Sequence, residues 1–185
     1  MSVTILLLAA GGSTRMGGAD KLAREIDGEP LLHRAVREAV QSGADVIVVT
    51  TPQRMPIVAD LPVTTIVGGA DMSASLAAGL LGIDADAVII ALADMPDVTA
   101  AHYTALIHTY SPDTPICRAA TADGTPGHPV LFDRRYFDEL RAISGDQGAK
   151  DILKRHADQV VLVPTTGEGA RIDLDTEADW GKYRK

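Results

Sequence analysis

Gly11 and Gly12, followed by Ser13, Arg15 and Lys21, are the residues of this chain whose types and spacing most directly prescribe a chemistry. Glycine lets the main chain turn sharply and present its N–H groups to an anion, while the guanidinium and ammonium groups supply positive charge. The fitting guest is a polyanion such as a triphosphate. Two commoner phosphate loops do not match. The dinucleotide fingerprint requires glycine, any residue, then glycine, whereas Gly11 and Gly12 are adjacent. A Walker A loop requires Lys and Ser/Thr directly after its second glycine; Gly12 and Gly17 have the spacing, but Gly18 and Ala19 follow and the lysine is displaced to Lys21. The plainer reading, a strand-to-loop turn with solvated basic residues, is weakened by Arg15 and Lys21 falling in one loop.

Asp94 is the carboxylate best placed to work with this loop, because an apolar run at residues 87–92 delivers it to the end of a strand. A bare anion there would repel a triphosphate. Mg²⁺ between them removes the conflict, since this ion takes one or two carboxylates together with phosphate oxygens and water. A turn-capping aspartate is the other reading of the same position. Asp173 and Asp175 lie two positions apart at the end of a short segment that leads into the last helix. Asp173 is the candidate second metal ligand, with Asp175 and Thr176 assigned to capping a final helix.

Gly68 and Gly69 lead through Asp71 into Ser73 and Ser75, a glycine turn entering a helix, where Gly69, Ser73 and Ser75 could contact a base or ribose. Simple N-capping by Ser73 is the alternative. Of the five histidines, His33, His102, His108 and His156 fall in amphipathic helical stretches and read as packing or surface residues; His128 alone adjoins a glycine-rich loop, residues 123–127. That loop looks flexible and suited to an acceptor.

The elements that must position these residues alternate. Apolar runs at 3–8, 45–50, 62–67 and 87–92 read as buried parallel strands; residues 30–43, 73–81 and 99–110 read as helices, with Thr99 as an N-cap. Strands at 114–119 and 128–132, helices at 134–143 and 147–156, short strands at 160–163 and 171–174, and a helix from about Thr176 complete the pattern. This order predicts an α/β fold, a single-domain doubly wound, Rossmann-like, mostly parallel sheet with helices on both faces, spanning residues 1–185. In such sheets ligands sit beyond the carboxyl ends of the strands, where the loop after Leu8 and the Asp94 loop both emerge.

Composition narrows the partners. A formal charge of −8 and 4% aromatic residues argue against nucleic acid. No apolar run is long enough to span a bilayer and no signal peptide is evident, so a cytoplasmic location is expected. Cys117 stands alone and reads as a small buried hydrophobe.

Taken together, the motifs resemble the MobA-like nucleotidyltransferases, through residues 8–17 with Lys21. Within that family the chain is most similar to the molybdenum cofactor cytidylyltransferases, through residues 72–76, Asp94-Met95-Pro96, residues 127–132, residues 145–150 and Asp173-Leu174-Asp175-Thr176. The resemblance implies that Leu8, Ala9, Ala10, Gly11, Gly12 and Ser13 hold the nucleotide, that Arg15 and Lys21 hold its phosphates as catalytic residues with Asp94, and that Asp94 binds Mg²⁺ with Asp173 as a second acid. Ser75 would lie near the base and His128 near the acceptor. Ala10 stands where GTP-using relatives have glycine, which favours CTP; Lys150 stands where arginine is more usual. The activity implied is transfer of CMP from CTP to the phosphate of molybdopterin or its metal-loaded form, with a molybdoenzyme or insertion chaperone as a further partner. Another phosphorylated acceptor, or a non-catalytic molybdopterin-binding chaperone, are the alternatives.

Overall fold

A computed structural model of the chain describes residues 1–11, 20–144 and 149–183. Its frame is a seven-stranded sheet built on β1 (Val3–Leu8), a run of apolar residues buried on both faces. Around it lie β4 (Asp45–Thr50), β5 (Thr64–Val67), β6 (Ala87–Leu92), β7 (Ile116–Ala120), β8 (Pro126–Asp133) and β9 (Val160–Pro164). The order is β5-β4-β1-β6-β8-β7-β9. The contacts β1/β4, β1/β6, β4/β5 and β7/β9 are parallel, and β8 runs antiparallel to both its neighbours. The expected doubly wound, mostly parallel sheet is therefore present, and its order reverses between β1 and β6, which puts the ligand crevice at their carboxyl ends.

Alternation along β1 divides the core. Ile5 and Leu7 pack on one side with α1 (Leu31–Gln41), α3 (Ala100–Thr109) and Trp180 of α6 (Glu177–Tyr183); Leu6 packs on the other with α2 (Met72–Leu80), α4 (Phe137–Arg141) and Ile152 of α5 (Lys150–Arg155). Gly79 in α2 has a packing reason: a Cβ there would lie 2.5 Å from Leu6 Cδ1 and 2.7 Å from Val49 Cγ2, so only glycine lets this helix settle on the sheet. Helix α1 buries Leu31, Leu32, Ala35, Val36 and Ala39 and ends at Gly43, whose φ of +81° suits the left-handed stop.

A two-stranded hairpin, β2 (Glu25–Ile26) and β3 (Glu29–Pro30), was not expected, although Asp27-Gly28, with φ of 52° and 81°, is a strong hairpin-turn signal. The segment before and within it is tied to the start of α1: Leu31 N donates to Arg24 O and Leu32 N to Leu22 O, which uses helix N–H groups that have no partner within the helix. Arg24 then stacks on Trp180 at 4.5 Å and pairs with Glu177. Lys21 thus sits on a segment fixed at both α1 and α6.

Two expectations are corrected. Residues 171–174 form no strand; Leu174 N donates to Asp94 O at 3.0 Å, so the segment crosses the strand ends instead of joining an edge. Residues 134–143 are not one helix: the Asp133 side chain accepts from Arg135 N and tightens the first turn to a 3₁₀ helix over Arg134–Tyr136 before α4.

Candidate functional site

The centre of the site is an ion-pair cluster. Lys21 Nζ lies 2.7 Å from Asp94 Oδ2 and 2.5 Å from Asp175 Oδ1, with the lysine side chain 12% exposed. Burial by itself would lower the ammonium pKa; the charges of Asp94 and Asp175 and their hydrogen bonds outweigh it and hold the pKa above its ordinary value. Asp173 belongs to the same cluster. Its carboxyl pKa is raised, first by burial and then by Asp175 and Asp94, so three acids share one field with Lys21. The assignment of Asp175 to capping is therefore corrected. Both acids feel the site: Asp175 pairs with Lys21, and Asp173 is acted on by Asp175 and Asp94. The cap of α6 is Thr176, whose Oγ1 accepts from Asp179 N while Asp179 Oδ2 accepts from Thr176 N.

The entrance to the glycine loop is braced by Arg54, which sequence reasoning missed. This arginine is 6% exposed. Its Nη1 donates to Ala9 O at 2.6 Å and Gly11 O at 3.1 Å, and its Nε to Asp20 Oδ2 at 2.8 Å. One planar guanidinium thus ties residues 9 and 11 to residue 20, the two described borders of the loop. Asp20 is desolvated, yet Arg54 and the N–H groups of Leu22 and Ala23 keep its pKa below the ordinary value.

Ala10 meets the turn after β5. A Cβ on Gly68 would lie 2.2 Å from Ala10 Cβ, and one on Gly69 would lie 2.3 Å from Ala74 Cβ, so both glycines are required for this approach. Ser75 Oγ accepts from Gly69 N at 3.1 Å and holds the turn against α2. The helix cap is Asp71, which accepts from Ala74 N and from Ser73 Oγ, in place of the Ser73 cap considered from sequence. Ser73 and Ser75 are buried, 7% and 4% exposed, so any contact they make with a nucleotide must come from their edge of the crevice.

His128 opens the other side. Its Nδ1 is buried and, among the described residues, has no hydrogen-bond partner. Burial, then Arg118, pushes its pKa down; Asp94 acts in the opposite sense and Lys150 in the same sense as Arg118, leaving a value of about 4. The turn expected to be flexible carries its own hydrogen bonds: Asp123 Oδ1 accepts from Thr121 Oγ1 and from Thr125 N, and Gly124 takes a φ of +85°. Gly127 sits in β8 against Ala170, where a Cβ would lie 1.9 Å from the Ala170 carbonyl oxygen.

The structure thus brings together Lys21, Asp94 and Asp173, sets His128 within the electrostatic reach of Asp94, and places Leu8, Ala9, Ala10 and Gly11 at the end of β1 beside Gly69, Ser73 and Ser75. Gly12, Ser13 and Arg15 lie outside the described residues. Of the remaining histidines, His33 bonds Glu29, His102 completes the α3 cap with Thr99, His156 bonds Glu139, and His108 is exposed on α3. Cys117 is buried, with its thiol pKa pushed up to about 11 by burial.

A divalent cation fits one observation here. Asp94 Oδ1 is buried and, among the described residues, accepts no hydrogen bond, an arrangement that costs about 1–3 kcal/mol for an unsatisfied acceptor. No cage of three or more His, Cys, Asp or Glu exists among the described residues. The donor set is that of an ion held by one or two carboxylates and completed by a ligand and water.

A mostly parallel sheet with a glycine loop, a basic residue and acids at its switch point defines an NTP-transferase-type protein. Family comparison makes this specific: residues 5–160 match the MobA-like NTP transferase domain, and the chain belongs to that family. It is 27% identical to nicotine blue oxidoreductase of Paenarthrobacter nicotinovorans, covering 94% of this chain and 92% of that one. It is also 27% identical to the purine catabolism protein PucB of Bacillus subtilis, covering 97% and 95%. Among solved structures, Rv0371c of Mycobacterium tuberculosis superposes with a TM-score of 0.84 at 26% identity, covering 100% of this chain and 98% of that one. A second structure of that protein is a manganese complex. No described helix is long and apolar enough to cross a membrane.

Proposed function

We propose that this chain, as one domain over residues 1–185, transfers CMP from CTP to the phosphate monoester of a molybdopterin-type acceptor and releases pyrophosphate. The observation that carries the reading is the cluster at the switch point: Lys21 between Asp94 and Asp175, with Asp94 Oδ1 open to a further partner. In the reaction an acceptor phosphate oxygen forms a bond to the α-phosphorus, the bond between that phosphorus and the α–β bridging oxygen breaks, and the electron pair leaves with pyrophosphate. A phosphate monoester has its second pKa near ~6, so it reaches the site already dianionic and needs no strong base. His128, whose pKa burial pushes down to about 4, takes up no proton near neutral pH, which agrees with that.

The work left to the protein is alignment and relief of repulsion between anions. Lys21, fully charged near neutrality, supplies positive charge to the triphosphate with Arg15, and the β1 loop supplies N–H groups. Mg²⁺, held by Asp94 with Asp173, contributes charge neutralisation when bound. Ala10, its methyl packed against Gly68, closes the base side of the crevice by one carbon relative to glycine and supports CTP over GTP. In this reading the enzyme works in the cytoplasm, where CTP is made, and hands its product to a molybdoenzyme or an insertion chaperone.

The test is pyrophosphate release from CTP, GTP, ATP and UTP with molybdopterin and with sugar phosphates. CTP with molybdopterin is expected to exceed every other pairing at least ~10-fold, a discrimination of about 1.4 kcal/mol. Preference for GTP overturns the role of Ala10, and preference for a sugar phosphate overturns the acceptor. Asp94→Asn is expected to lose roughly 100-fold or more of the turnover, as for removal of a group that acts on developing charge, while still unfolding cooperatively.

A further inference from the structure

Arg118 is a half-buried cation on β7 that the proposed chemistry has not used. Among the described residues it makes no ion pair, and its guanidinium makes one hydrogen bond, from Nε to Gly127 O at 2.9 Å. Burial lowers its pKa, with no opposing carboxylate to raise it again. An arginine taken out of water without a counter-charge is costly unless an anion arrives to meet its remaining N–H groups. Its neighbours have the same character. Gly127 O, held by Arg118, belongs to the residue before His128, whose buried Nδ1 has no partner among the described residues. Lys150, exposed at the start of α5, acts on His128 in the same sense as Arg118.

We propose that Arg118, His128 and Lys150 form the seat of the acceptor's attacking group, and that this group is a phosphate monoester dianion. The proposal rests on the nucleotidyl-transfer reading and names residues for its second substrate. The chemistry matches on three counts. The guanidinium edge not used by Gly127 offers parallel N–H donors, which suit two phosphate oxygens. The second cation, Lys150, makes a doubly charged guest better than a carboxylate. The uncharged imidazole supplies a single donor through its Nδ1–H tautomer. Asp94, whose charge also acts on His128, marks where the nucleotide phosphates are expected, so an anion in this seat would lie close to them.

The geometry behind this is built into the strands. The register of β7 against β8 shifts between Arg118 and Ala120, which breaks the ladder beside Gly127 and leaves its carbonyl free to accept from Arg118. Gly127 cannot recede, because Ala170 lies directly behind it and receives the hydrogen bond of His128 N at 2.8 Å. The seat is therefore fixed on the scaffold.

The experiment uses the full chain with its nucleotide site filled by a non-hydrolysable CTP analogue and Mg²⁺. Methyl phosphate, inorganic phosphate and acetate are titrated in turn, with the ¹H–¹⁵N signals of the His128 ring as the readout. Methyl phosphate and inorganic phosphate are expected to shift those signals saturably, and acetate to do so at least 10-fold more weakly. Arg118→Gln should weaken methyl phosphate at least 10-fold while leaving affinity for the CTP analogue within 2-fold; Arg118→Lys should recover part of the loss. Lys150→Ala, at an exposed position, should weaken it about 3-fold and serves if the arginine variants do not fold. Unchanged methyl phosphate binding in Arg118→Gln, or in Lys150→Ala if that variant alone folds, overturns the proposal, and acetate binding as tightly as methyl phosphate overturns the phosphate class. Failure of the wild-type chain to bind the CTP analogue overturns the nucleotidyl-transfer reading instead.

Discussion

Replacing Arg54 with methionine removes the brace at the mouth of the glycine loop while keeping a long apolar stem in place. The substitution deletes the hydrogen bonds to Ala9 O, Gly11 O and Asp20 Oδ2. Asp20 is partly exposed and can return to water, so its share is that of a modest ion pair, about 0.5–1 kcal/mol. Ala9 is 2% exposed, and the other described contact of its carbonyl, from Thr50 Oγ1, is long at 3.5 Å. Leaving that acceptor without its charged donor costs roughly 1–2 kcal/mol, whereas Gly11 is exposed and its carbonyl can return to water. The expected loss is therefore about 2 kcal/mol, which for a chain of this size lowers Tm by roughly 4–8 °C. Urea unfolding should show a lower midpoint with an unchanged slope. The pH dependence gives an independent check. A carboxylate whose folded pKa is depressed contributes stability above its unfolded pKa and loses it as pH falls through the folded pKa, so the acid-side loss due to Asp20 should shrink in Arg54→Met. If KM for CTP rises while kcat holds, the brace organises binding of the triphosphate. A stability loss below ~1 kcal/mol would refute the reasoning, because no rearrangement that leaves Ala9 O buried and unpaired is that mild.

Gly127→Ala should destabilise by several kcal/mol, on the order of 3, in urea unfolding, since a Cβ would sit 1.9 Å from the Ala170 carbonyl oxygen and the opposing atom is backbone. His128, with its folded pKa near 4, contributes stability fully above its unfolded pKa and loses it as pH falls from about 6.5 towards 4; His128→Gln should flatten that part of the stability–pH curve. Asp173 has the opposite sign: its raised pKa makes the ionised form a burden on the unliganded fold, so Asp173→Asn should raise Tm at pH 7, with the gain shrinking as pH falls and the wild-type carboxyl takes up its proton. The same variant should lose part of any stabilisation that millimolar Mg²⁺ gives the wild type with CTP, measured by thermal shift.

How much was legible depends on where the determining contacts lie. The strands at Asp45–Thr50 and Ala87–Leu92 match the expected bounds, because buried parallel strands are continuous apolar runs that need no partner to be recognised. Helix α3 and its Thr99 cap were equally plain, since a cap is set by residues within one turn. Residues 171–174 have the composition of a strand, but they cross the ends of the sheet and bond to Asp94 O, so they never join a ladder.

The chain by itself fixed the alternation of strand and helix, the emergence of the glycine loop and Asp94 from strand ends, and the mismatch with two commoner phosphate loops. Those properties follow from local pattern and residue type. Tertiary structure decided which charges share a field. Arg54 bonds residues 34 to 45 positions away, Lys21 reaches Asp175 across 154, and both relations are set by how separate elements converge at one edge of the sheet. The same convergence moved Asp175 from a helix cap into the site and left Arg118 acting on His128 with no carboxylate beside it among the described residues, because the energy of a charge depends on what burial and distant neighbours put beside it.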